Sequence, residues 1–227
     1  TWVPFMISVT AFIRPRYGLA ARFVNVALSL AAVLFCPLAM ATEPFGILVL
    51  GDSLTAGHGL SRQASFPARL QKALLADGIE VEVIDGGVSG NTTAAGLARL
   101  DWALASKPDA VIVELGGNDG LRGLEPKVTY ANLDEILTRI RKSRLSVLLA
   151  GMKAPPNLGG EYGAEFNDVY AKLAVKHGVR LYPFFLAGVA AVPELNQEDG
   201  IHPNARGVDV IVRRILPFVK RLIGERR

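Results

Sequence analysis

Gly46-Ile47-Leu48-Val49-Leu50-Gly51-Asp52-Ser53-Leu54 is a run of large aliphatic residues that stops abruptly at a Gly-Asp-Ser turn. A continuous apolar run, without polar alternation, predicts a strand over Gly46 to Leu50 that is covered on both faces, the usual state of a parallel sheet. Working outward, further strand candidates fall at Glu80 to Ile84, Ala110 to Leu115, Ser146 to Ala150 and Val179 to Tyr182. Helical patterns fill the intervals at about 65–77, 92–106, 129–143 and 161–177, with a last one at about 204–223. Leu133, Ile136, Leu137 and Ile140 recur at i, i+3, i+4 and i+7, as a helix lying on a sheet requires. The alternation predicts βαβ units and an α/β fold with a parallel sheet. Such sheets bind ligands beyond the carboxyl ends of their strands, near the point where strand order reverses.

The chain has 227 residues, half of them apolar and a fifth charged, which suits one ordinary domain with an appendage and excludes a disordered or collagen-like chain. The appendage is at the front. Arg14, Arg16 and Arg22 precede Phe23 to Ala41, nineteen residues without a charge that end in Ala39-Met40-Ala41, a small-x-small cleavage pattern. Residues 1–41 are therefore expected to be an export signal, with the domain at 42–227 and the protein periplasmic or secreted. A retained membrane anchor competes with this reading, against which Asn25, Ser29 and Pro37 weigh. Bulky Phe35 before Cys36 argues against a lipid anchor. Removing the three leading arginines leaves 22 basic against 21 acidic residues, no basis for a nucleic-acid partner or for stable membrane association after cleavage. One cysteine excludes a disulfide framework and an iron–sulfur cluster.

The turns at the strand ends carry the chemistry. Gly51-Asp52-Ser53-Leu54 comes after the first strand, Gly86-Gly87-Val88-Ser89-Gly90-Asn91 after the second, and Gly116-Gly117-Asn118-Asp119 after the third. Asp199-Gly200-Ile201-His202-Pro203-Asn204 comes late in the chain. Singly, these read as a helix cap, permissive glycines, a turn asparagine and a helix entry. Together they map a hydroxyl, a glycine-rich backbone, an amide and an Asp/His pair onto one sheet edge, the parts that acyl transfer needs.

These four segments resemble those of the GDSL, or SGNH, hydrolases. Val113 to Gly123 and Gly96-Leu97-Ala98-Arg99-Leu100 are similar to the exported bacterial thioesterase I, lysophospholipase and arylesterase group. The likeness spans essentially all of 44–222. It implies a three-layer α/β/α fold on a flavodoxin-like sheet of five parallel strands. It also implies Ser53 as nucleophile, His202 as general base, Asp199 as the acid orienting it, and an oxyanion hole from the Ser53 and Gly90 N–H groups and the Asn118 amide. The expected substrate is a small acyl ester or thioester, and no metal or organic cofactor is required. Carbohydrate O-deacetylation on the same fold, and a non-catalytic binding module, stand as alternatives.

Other constellations lack their signatures. His58 and His177 have no partner at metal-ligand spacing, no G-x-S-x-G elbow is present, and Gly57-His58-Gly59 lacks the third glycine of a dinucleotide fingerprint. His58 reads as a solvated loop residue near the site, and His177 as a cation at a helix C-terminus. The Ala154 to Gly163 segment reads either as a wall of an acyl pocket or as a plain connection. Leu121, Leu158, Tyr162 and Phe184 are candidates for an apolar channel or for the core.

Overall fold

A computed structural model describes residues 43–224, so the expectation of an export signal over 1–41 lies outside the described residues. Five strands form the sheet: β1 Phe45–Gly51, β2 Val81–Gly87, β3 Ala110–Glu114, β4 Ser146–Ala150 and β5 Arg180–Tyr182. All neighbours pair in parallel, in the order β2-β1-β3-β4-β5. The order reverses between β1 and β3, so the crevice beyond their carboxyl ends is the place for a ligand.

The helices are α1 Ser53–Ala56, α2 Phe66–Ala76, α3 Thr93–Ala98, α4 Leu100–Leu104, α5 Gly117–Leu121, α6 Pro126–Lys142, α7 Gly160–His177 and α8 Ala205–Gly224. α2 packs against α8, while α6 packs against α3 and α7; with the sheet these make the three-layer α/β/α arrangement. Ile47 to Leu50 and Ala110 to Val113 are buried, as apolar runs sandwiched between two helical layers should be. Leu133, Ile136, Leu137 and Ile140 of α6 are buried together, and each such side chain contributes about 1.5–3 kcal/mol relative to exposure. No helix among the described residues is long and apolar enough to cross a membrane.

Local differences from the sequence reading have physical causes. The pattern over 92–106 is two helices, because Arg99 turns aside (φ −104°, ψ 5°). β2 runs past its expected end at Ile84 through Asp85 and on into Gly86-Gly87, which read as a turn but pair with Leu50 and Gly51. α6 starts at Pro126, where the missing N–H of a first-turn proline costs nothing. α1 and α5 are too short to show a period, and both begin at a strand's end.

α8 carries a close contact that holds the end of the chain in register with the site. A Cβ placed on Gly207 would lie 2.1 Å from the Leu195 carbonyl oxygen, just before the Asp199-to-His202 segment. Gly207→Ala is expected to destabilise the protein by about 1–3 kcal/mol, the usual cost of overpacking, because the obstacle is backbone that cannot swing away. A lowered urea midpoint with an unchanged slope would show it.

Candidate active site

β1 ends at Gly51 and the chain turns directly into α1, leaving Ser53 at a first helical position. The amides there precede any helical carbonyl they could bond. Asp52 caps the helix: its Oδ1 accepts the Leu54 N–H at 2.9 Å. Ser53 Oγ faces the imidazole of His202, 2.9 Å from Nε2, although 149 residues separate them in sequence.

His202 Nδ1 lies 2.6 Å from Asp199 Oδ2, while Asp199 Oδ1 accepts the N–H groups of Ile201 at 2.9 Å and His202 at 3.0 Å. The backbone bond from His202, then its ring and the Ile201 N–H, hold the Asp199 carboxyl down at about 2. An ionised carboxylate only accepts, so Nδ1 carries the proton in this bond and Nε2 is left to accept from the serine hydroxyl. The segment that presents the pair is tied by an Asn196–Pro203 bridge and by Asn204 Nδ2 donating to the carbonyls of Glu194 and Asn196.

Asn118 stands on α5, after β3. Its neighbour Asp119 is fully buried and accepts from Thr93 N–H and Oγ1 of α3 and from Thr129 Oγ1 of α6, which fixes α5 in place. The Asn118 amide nitrogen donates to Asp52 Oδ2 at 3.1 Å and to the Asn91 carbonyl at 3.0 Å. Gly90, which precedes that carbonyl, turns with φ +80°, open to glycine at no steric cost. Its own carbonyl accepts from Arg122 Nη2 at 3.1 Å. Arg99 binds the same loop to β1, donating from Nε to Asn91 Oδ1 at 2.6 Å and from Nη2 to the Gly51 carbonyl at 2.8 Å.

Ser53, Asn118 and His202 line one cavity of about 450 Å³. Asp199 supports it from behind His202, while Gly90 is outside the lining, its loop meeting the site where the Asn91 carbonyl accepts from Asn118. Its apolar walls are Leu121, Met152, Phe184 and Leu186, with Ala154 to Pro156 closing one side. The Pro/Gly-rich segment is thus a wall over its first three residues and enters α7 at Gly160. Of the four channel candidates, Leu121 and Phe184 line the cavity. Tyr162 instead stacks on Phe166 and donates to the Leu124 carbonyl, and Leu158 is outside the lining. His58 is exposed yet sits against the His202 ring, with 4.6 Å between centroids. His177 ends α7 as expected and meets Asp134 at 2.7 Å.

Sequence reasoning missed two buried acids beneath the nucleophile. Asp52 is 1% exposed, and burial raises its carboxyl to about 6 against the opposing bonds from Leu54 and Asn118. Glu114, at the end of β3, is fully buried and pushed well above the ordinary carboxylate value by burial and then by Asp52. A carboxylate inside an apolar strand was the available signal.

A hydroxyl bonded to an imidazole, itself bonded to an ionised carboxylate, beside an apolar cavity at a sheet's switch point is the arrangement of a serine hydrolase. The chain belongs to the GDSL-like Lipase/Acylhydrolase family, whose profile matches residues 49–210. It is 45% identical over 170 residues to an arylesterase of Vibrio mimicus, covering 74% of this chain and 85% of that protein. Against the thioesterase 1/protease 1/lysophospholipase L1 of Escherichia coli K12 it is 42% identical over 178 residues, covering 76% and 84%. The crystal structure of AlinE4, an SGNH-hydrolase family esterase, superposes with a TM-score of 0.68 at 48% identity, covering 79% of this chain and 97% of that one. The protein is a serine ester hydrolase of this family.

Proposed function

We propose that the protein hydrolyses acyl esters and thioesters, with Ser53 as nucleophile, His202 as general base and Asp199 as the residue that orients it. The observation carrying this reading is the unbroken Asp199–His202–Ser53 relay at 2.6 and 2.9 Å. His202 Nε2 takes the Ser53 proton as Oγ attacks the acyl carbon. The resulting oxyanion is received by the Ser53 and Gly90 N–H groups and by Asn118 Nδ2. As the tetrahedral intermediate collapses, the acyl carbon's bond to the leaving oxygen or sulfur breaks, and Nε2 returns the proton to that atom. Water then gives its proton to Nε2 and attacks the acyl-enzyme, and Ser53 Oγ leaves with the proton restored.

The apolar walls support an acyl chain and not a sugar as the group bound. The arginine-led apolar segment over residues 1–41 supports export ahead of a hydrolase domain at 42–227, and so a periplasmic or secreted site of action. The test is hydrolysis of p-nitrophenyl esters from acetate to dodecanoate. Each buried methylene is worth about 0.8 kcal/mol, so kcat/KM is expected to climb by up to about fourfold per methylene until the cavity is full. A profile confined to acetate would overturn the acyl-cavity assignment and favour deacetylation.

A further inference from the structure

The terminal torsion of an asparagine is soft, so an amide at the mouth of an open cavity does not hold one direction unless something grips it. We propose that Asp52 is the positioning residue of the oxyanion hole: its carboxylate grips one N–H of Asn118 and the Leu54 N–H together, leaving the second Asn118 N–H to meet the reacting carbonyl oxygen. This rests on the oxyanion role given to Asn118 above.

The geometry is a fork. Oδ1 takes Leu54 at 2.9 Å on the nucleophile's own turn, and Oδ2 takes Asn118 Nδ2 at 3.1 Å on α5, just after β3. A helix cap alone does not need a carboxylate, since serine or asparagine caps as well and costs less to bury. Two donors arriving from two elements do need one, because an amide in its place would turn an NH₂ toward one of them. Burial raises the Asp52 carboxyl to about 6, against the two bonds it accepts from Leu54 and Asn118, so it is the ionised acceptor above that pH. Glu114 is driven towards its neutral form by burial and by the Asp52 charge, and its Oε2 accepts the Asp52 N–H at 3.4 Å. The second Asn118 N–H rests on the Asn91 carbonyl at 3.0 Å. A neutral carbonyl is a weaker acceptor than a carboxylate, so an arriving oxyanion displaces Asn91 and leaves the Asp52 bond in place.

A double-mutant cycle on the full chain tests this with p-nitrophenyl butyrate, kcat and KM being normalised to folded protein by near-ultraviolet circular dichroism. Asn118→Ala is expected to lower kcat by about 10²- to 10³-fold, the usual cost of losing an oxyanion donor. Asp52→Asn should approach that loss in kcat while leaving KM within about twofold, and in the Asn118→Ala background it should change kcat by no more than about twofold. Asp52→Ser keeps a capping oxygen for Leu54 but is too short for Asn118, so it should lose activity in parallel with a retained urea midpoint. Losses that multiply across the two backgrounds, or wild-type kcat in Asp52→Ser, would overturn the inference while the oxyanion role of Asn118 stood. A neutral Asn118→Ala would instead overturn that role, and the inference with it.

Discussion

Alanine at position 53 is expected to lower kcat by about 10⁴- to 10⁶-fold and to leave the fold as it is. In the proposed mechanism the hydroxyl forms and breaks the acyl bond, and it is the group bonded to His202 Nε2. Its removal takes nothing from the core: Ser53 is only partly buried and its hydroxyl faces the imidazole. The cap on α1 comes from Asp52 and survives the change. Whatever activity remains reflects binding and the oxyanion donors acting on water. The measurement is steady-state hydrolysis of a p-nitrophenyl ester, with the urea midpoint taken on the same preparation. A variant that keeps even a tenth of the wild-type kcat would remove Ser53 from the mechanism.

His202→Ala should cost about as much, and Ser53→Ala/His202→Ala no more than either alone, because the two residues perform one step. Asp199→Ala is expected to be milder, at about 10⁴-fold, since the imidazole still accepts a proton once its orientation is lost. The acid side of the pH profile carries a further expectation. Asp199 is held down at about 2 from an ordinary 3.8, so it is charged throughout the range in which the enzyme is assayed. The stability its bonds contribute is present above the ordinary value and fades only as pH falls through about 2. A fall in kcat between pH 4 and pH 7 would therefore report other groups. Multiplying losses in the double variant would mean that Ser53 and His202 act in separate steps.

The strands and the serine turn were legible because both signals are local. Ile47 to Leu50 announce a doubly covered strand, and the turns at the carboxyl ends of parallel strands share one edge whatever the remaining topology. Asp199 and His202, three apart, were legible as a unit for the same reason. The parts that stayed hidden depend on distant partners. Asp52 read as part of a turn, since nothing local says that its carboxylate reaches Asn118, 66 residues on. Arg99 read as one more helical residue, yet it leaves the helix and ties the Asn91 loop to the end of β1. Leu121 and Tyr162 both offer apolar surface, and only packing decides that one lines the cavity while the other, within α7, stacks on Phe166 and donates to the Leu124 carbonyl.

The two halves of the proton relay are anchored very differently. Ser53 grows out of a central strand with hydrogen-bonded neighbours on both sides. Asp199 and His202 belong to no strand; a single bridge, short backbone bonds such as Gln197 N–H to the His202 carbonyl and Asn204 N–H to the Leu195 carbonyl, and a few asparagine and glutamine side chains hold their segment, and Asp199 is 40% exposed. Local openings cost least where few buried contacts must break. On warming, the enzyme should therefore fall silent before it melts, with its working lifetime governed by this short tether and not by the sheet that carries the serine.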